Sequence, residues 1–183
     1  MFARVVATAM DIDELLEHRR DKDEFFRSSH HSPLEPADQA GFPGLAYFDP
    51  SPELVFTLKP DAADGSVVTV QTSDGQQRSY QRTATVSFEV GDDKATLTLY
   101  STGQPGYFIP FRDKTSGKET YGAGRYLDIE PNPDGTVTID FNLAYNPYCA
   151  YNEAYSCPLP PIENWLQVPI EAGEKTYPIR AAG

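Results

Sequence analysis

Residues 66–100 read SVVTVQTSDGQQRSYQRTATVSFEVGDDKATLTLY. Valine, threonine and aromatic residues alternate with polar ones, and Ser73-Asp74-Gly75 and Gly91-Asp92-Asp93 interrupt the alternation. A period of two is the signature of strands with one buried face. Asp-Gly and Gly-Asp pairs supply the backbone conformations that tight turns require. The stretch therefore predicts strands at 66–71, 78–82, 85–90 and 95–100, joined as an antiparallel meander.

The same pattern extends outward. On the amino-terminal side 54–58 alternates in the same way, and Asp61-Ala62-Ala63-Asp64-Gly65 forms the turn between. On the carboxy-terminal side 107–111 is a further strand. Residues 124–130 and 136–142 flank Pro131-Asn132-Pro133-Asp134-Gly135 and read as a hairpin. The fold class is mainly β: a single antiparallel β-barrel or two-layer β-sandwich, with an N-terminal α-helix packed on it.

That helix is predicted over 11–27. Asp11 can cap it, Glu14 follows three residues on, and Ile12, Leu15, Leu16, Arg19, Lys22 and Phe26 recur at helical spacing. From Pro33 to Pro52 the chain is proline-rich and irregular, with Phe42, Tyr47 and Phe48 available to hold it on the core. One domain is expected over 1–183. Within it, 1–10 is disordered or precedes a true start at Met10, 53–183 forms the β core, and 143–161 covers one end as loop or short helix.

The hairpin has a chemical consequence. If Glu130 pairs with Thr136, then Ile129 faces Val137, Leu127 faces Ile139 and Arg125 faces Phe141, so Arg125 lies on the apolar face. A buried guanidinium without partners costs several kcal/mol. Arg125 must meet an internal carboxylate, with Asp113, Asp140 and Glu174 as candidates, or hold the acidic group of a small molecule.

Cys149 and Cys157 lie in NPYCAYNEAYSCP, residues 146–158. Neither C-x-x-C spacing nor a nearby histidine supports zinc, and no histidine in this half of the chain could serve a catalytic thiol. Two thiols close together, able to form a disulfide on oxidation, is the structural reading. His30 and His31 are adjacent loop residues without further ligands, and read as solvated. Tyr145, Tyr148, Tyr151 and Tyr155 recur every three or four residues. They either pack inward or wall a pocket, with Pro147 opening a short helical turn capped by Asn146. Gly122 and Gly124 precede a strand rather than a helix, which argues for close strand approach instead of a phosphate cradle.

The chain has 27 acidic and 15 basic residues, a formal net charge of -12. Such a chain repels nucleic acid and anionic membranes. The composition suits a salt-adapted protein of a halophile as well as an ordinary acidic cytosolic one. No apolar run is long enough to span a membrane, and MFARVVATAM at the start is too short for a signal-peptide core. A cytoplasmic location is expected, since two cysteines do not make a disulfide scaffold.

The runs FIPFRDKTSGKETYGAGRYLD and DFNLAYNPYCAYNEAYSCPLPPIENWLQVPIEAGEK, with Arg19-Arg20-Asp21-Lys22 and Phe25-Phe26 upstream, resemble the family catalogued as domain of unknown function 1684. The resemblance extends from about Asp11 across nearly the whole chain. Trp165 departs from it, because the family pattern favours arginine after the asparagine. The family carries no established activity, so the resemblance supplies a signature without a reaction.

The candidate ligand-contacting residues are Asp113, Thr120, Tyr121, Arg125, Asp140, Asn142, Tyr145, Asn146, Cys149, Tyr151, Cys157, Asn164 and Glu174. Two readings follow. In the first, the protein binds a small polar or anionic molecule around Arg125 and the 140–146 segment, without cofactor or metal. In the second, it is a hydrolase- or lyase-type enzyme with Asp113 or Asp140 as base and Arg125 as electrostatic stabiliser. A third possibility is that the signature is architectural.

Overall fold

The computed structural model describes residues 11–177. The expectations for residues 1–10 lie outside them. Helix α1 (Ile12–Ser28) begins where the cap predicts, with the Glu14 backbone N–H donating to Asp11 Oδ1 at 3.0 Å. Leu15, Arg19 and Phe26 are its buried face, whereas Ile12 and Leu16 are exposed. A four-residue helix, α2 (Pro36–Gln39), interrupts the irregular stretch that follows.

Eight strands follow: β1 (Val55–Leu58), β2 (Asp61–Ala62), β3 (Val67–Gln71), β4 (Gln77–Val90), β5 (Asp93–Ser101), β6 (Tyr107–Phe111), β7 (Arg125–Ile129) and β8 (Val137–Asp140). The strands predicted at 78–82 and 85–90 are one long strand, β4, in which a bulge between Arg82 and Ala84 shifts the register. A bulge bends a strand without ending it. Sheet order is β2-β4-β5-β6-β7, with β3 also on β4, while β1 and β8 form a separate antiparallel pair. The fold is thus mainly β with antiparallel sheets and one long helix. The sheets are not closed into a barrel, and the two-layer, sandwich-like alternative is the one that fits.

The hairpin expected between 124–130 and 136–142 does not form. β7 pairs with β6, Arg125 opposite Phe111 and Leu127 opposite Ile109, and β8 pairs with β1, Ile139 opposite Phe56. The far edge of β7 is taken by Tyr145, which exchanges both backbone hydrogen bonds with Tyr126 at 2.8 and 3.0 Å. Pro131 and Pro133 have no N–H with which to extend a ladder, so only the single bridge Pro131–Val137 joins the two strands. Released from β7, β8 places Val137 and Ile139 in the shared core, where both are fully buried.

That core is filled by Val86, Phe88, Leu97, Leu99, Ile109, Phe111 and Leu127 from the large sheet. Val137, Ile139 and Phe141 face them, and Leu166, Val168 and Ile170 close the space. The rings of Phe56 and Phe88 lie 4.8 Å apart, and those of Phe111 and Phe141 5.4 Å. Gly124 shows why the segment before β7 requires glycine. Its φ is +100°, and a Cβ there would sit 2.5 Å from the Phe111 carbonyl oxygen. Close strand approach is thus what the glycine permits.

Candidate functional site

Arg125 faces the core beside Leu127, as the alternation requires, and is completely buried. Its guanidinium is enclosed by protein. Nη1 donates to the carbonyls of Ala172 and, at 3.2 Å, Glu174; Nη2 donates to the Ile170 carbonyl at 2.9 Å and lies 3.5 Å from Asp113 Oδ1. Burial lowers the Arg125 pKa from its ordinary value, and the Asp113 carboxylate opposes the shift. Asp113 Oδ2 in turn accepts from the Ile170 backbone N–H at 2.6 Å and from Thr115 Oγ1 at 2.8 Å, and Thr115 contacts Thr120 at 2.9 Å. Arg125 clamps 170–174 to the end of β7.

Three other candidate residues act on backbone. Asn164, fully buried, accepts from Thr98 N–H at 2.8 Å and donates to the carbonyls of Thr98 and Pro110 at 2.9 and 3.0 Å. Asn142 pairs with the N–H and C=O of Ser51 at 2.8 and 2.9 Å, and Asp140 Oδ1 holds its Nδ2 at 2.9 Å. Asn146 donates to the Lys175 carbonyl at 2.9 Å. Each amide imitates a missing ladder partner, satisfying buried peptide groups where the strands stop.

Glu174 is also buried. Its carboxylate accepts from the Asn146 N–H at 2.6 Å and the Tyr151 hydroxyl at 2.8 Å, and Lys22 Nζ lies 2.5 Å away. Helix α1 is docked by this ion pair, by Arg19 Nη1 donating to the Phe48 carbonyl at 3.0 Å, by the Leu45 N–H donating to Asp23 Oδ1 at 2.9 Å, and by Phe26, whose ring centroid lies 4.9 Å from that of Tyr151.

A cleft of about 810 Å³ opens between α1 and the outer face of β6 and β7. Phe25 and Phe26 come from α1, Tyr80 from β4, Phe108 from β6 and Tyr126 from β7. Tyr145, Tyr148 and Tyr155 come from the segment that crosses this end. Three of the four periodic tyrosines thus wall it, and Tyr151 packs behind them against Phe26 and Tyr177. The charged lining groups are Lys22, Arg78, Asp128 and Asp140, and His18 lies beside them. Asp128 is engaged by the Tyr145 hydroxyl; burial and that hydrogen bond push the phenol up, so it is a neutral donor. Arg78 gives Nη2 to the Ser156 carbonyl at 2.8 Å and forms no ion pair among the described residues.

Of the candidate residues, Asp140, Tyr145 and Cys157 line this cleft, and Arg125, Asp113 and Asn164 do not. The cysteines are reduced and buried, with the Cys149 N–H donating to Cys157 Sγ at 3.3 Å and the Tyr121 hydroxyl 3.8 Å from Cys149 Sγ. Among the described residues no three His, Cys, Asp or Glu side chains converge as a metal site, and no helix is long and apolar enough to cross a membrane.

The family described as Protein of unknown function (DUF1684) matches residues 40–175. The chain belongs to the DUF1684 family. It is similar to an uncharacterized protein of Haloarcula marismortui, known from a solution NMR structure. The two are 38% identical, with a TM-score of 0.68 over 90% of this chain and 93% of that one. No curated protein matches it. The DUF1684 match includes β1 to β8 and the clamped segment up to Lys175, while α1 precedes it. At the departure from the family pattern, Trp165 stacks on Arg112, whose guanidinium carbon is 4.5 Å from the ring, and donates Nε1–H to the Pro160 carbonyl at 2.9 Å.

Sequence reasoning missed Phe25, Arg78, Tyr80, Phe108, Tyr126 and Asp128 as cleft residues. The available signal was strand parity, because Tyr126 and Asp128 occupy the face of β7 opposite Arg125 and Leu127.

Proposed function

We propose that this DUF1684 protein binds a small molecule in the aromatic cleft, and that the ligand has a flat apolar body and an acidic end directed at Arg78. The carrying observation is the cleft's size and lining. About 810 Å³ is within the range of small-molecule sites, roughly 300–1,000 Å³, and its wall is ring-rich with few polar groups. The acidic groups in it are already occupied by Tyr145 and Asn142, which leaves the exposed guanidinium of Arg78 as the available counter-charge. Arg125 supports this wall without touching the ligand. An enzyme using Arg125 with Asp113 has no open face on which to place a substrate.

The test uses 8-anilinonaphthalene-1-sulfonate, an aromatic anion of this description. Saturable binding of one dye per chain is expected. Leu143→Glu and Arg78→Glu, both at exposed cleft positions, should each weaken it by about tenfold or more. Circular dichroism and melting should stay unchanged. No saturable binding, or binding indifferent to both variants, removes the proposal. Equal binding of a neutral naphthalene analogue removes only the acidic end.

We further propose a cytoplasmic location and take the charge as salt adaptation. Support comes from the net charge of -12 and from the Haloarcula relative. Screening relieves self-repulsion among like charges, so the melting temperature should climb steadily with KCl into the molar range. A flat or falling profile by differential scanning calorimetry rejects the adaptation.

A further inference from the structure

We infer that Cys149 and Cys157 form an oxidation site, at which a hydroperoxide converts the dithiol into a disulfide that ties the turn at Tyr148–Ala150 to the cleft wall. The inference stands apart from the ligand reading, because it concerns the two sulfurs and a small oxidant only.

The geometry brings the sulfurs together. Cys157 Sγ is 3.3 Å from the Cys149 backbone nitrogen, which donates to it, so the two side chains lie side by side. Cys157 is held from its other side. Its N–H takes Ser73 Oγ at 3.1 Å, and its carbonyl accepts the Ser73 N–H at 2.8 Å. Neighbouring Ser156 Oγ donates to Asp74 at 2.7 Å. The segment between, Glu153 to Tyr155, is exposed.

Access is narrow: both residues are more than nine-tenths buried, and Cys157 meets solvent at the cleft. The Cys149 thiol is drawn down to about 6 by its hydrogen bond from Cys157, despite burial, with Tyr121 assisting, and Cys157 is pushed up by the same hydrogen bond and by burial.

The chemistry balances. The Cys149 thiolate attacks one peroxide oxygen and the O–O bond breaks; the leaving oxygen takes a proton and departs as water or alcohol. Cys149 is then a sulfenic acid. Cys157 sulfur attacks Cys149 sulfur, the S–O bond breaks, and a second water leaves with the sulfenic oxygen and the Cys157 proton. The dithiol loses two electrons and two protons, and one peroxide is reduced.

The test treats the wild-type chain with one equivalent of hydrogen peroxide and follows intact mass, non-reducing migration and peptide mapping. Expected are loss of two hydrogens, a monomeric Cys149–Cys157 cross-link and full reversal by dithiothreitol. The rate should rise with pH as the thiolate forms and level off below the ordinary thiol value of about 8.5. In Cys157→Ser a dimedone-reactive sulfenic acid should persist on Cys149. Unchanged thiols, direct conversion to sulfinic acid or only intermolecular disulfides would overturn the inference.

Discussion

Arg125→Met should leave the chain unfolded at room temperature. Methionine matches the apolar bulk of arginine but donates nothing, so the carbonyls of Ile170, Ala172 and Glu174 lose their donor in a dry interior, and the Asp113 carboxylate loses its counter-charge while keeping the Ile170 N–H and Thr115. An orphaned buried polar group costs about 1–3 kcal/mol, and more when charged. Three orphaned carbonyls and one buried carboxylate without its counter-charge together reach the total stability of an ordinary domain, about 5–15 kcal/mol. Arg125→Lys restores a charge and three donors but not the planar fork, and is expected to fold with its melting temperature lowered by on the order of 10 °C. Urea unfolding by circular dichroism decides. A folded Arg125→Met chain within about 2 kcal/mol of wild type would show that water or rearranged backbone replaces the guanidinium.

The contrast between the arginine and the strand that carries it shows what the sequence made legible. Alternation in RYLDI fixes that Arg125 and Leu127 share a face, and that holds whichever strand lies opposite. Partner choice is a different quantity. It depends on which edges are left open after Tyr145 has bonded Tyr126 and after two prolines have removed donors from the connection, and neither follows from hydrophobic period. The Asp11 cap and the strands 67–71, 93–101 and 107–111 were readable because their signals are local.

The cleft was not readable in this way. Its wall is drawn from α1, β4, β6, β7 and the segment after β8, residues brought together only once the sheet order is set. Even so, the tyrosine spacing marked one side of it, at Tyr145, Tyr148 and Tyr155. Asn142 and Asn164 lie between these cases. Their side chains were candidates for a ligand, and the group they bind is the chain's own backbone, since an amide has the same donor and acceptor as a peptide unit.

Glu174→Ala should cost about 3–5 kcal/mol, the range for breaking a buried ion pair by removing one member. The carboxylate is the meeting point of three segments. It receives Lys22 from α1, the Asn146 N–H at the start of the crossing segment and the Tyr151 hydroxyl. Alanine strands all three, and the lysine, only partly exposed, cannot fully rehydrate without lifting the helix. Glu174→Gln keeps an acceptor for the backbone N–H and should cost less. The helix is then the element to watch. If the ion pair docks α1, hydrogen exchange in 15–26 rises in Glu174→Ala well before the β core exchanges, because a helix held by few contacts opens locally. The cycle of Lys22→Met, Glu174→Gln and the double variant isolates the pair itself. Coupling of about 1 kcal/mol or more is expected, since the carboxylate is buried and screened little by solvent. Coupling near zero would mean that Phe26 on Tyr151, Arg19 on the Phe48 carbonyl and Asp23 on the Leu45 N–H hold the helix without the ion pair, and that Glu174 serves only the backbone at Asn146 and the Tyr151 hydroxyl.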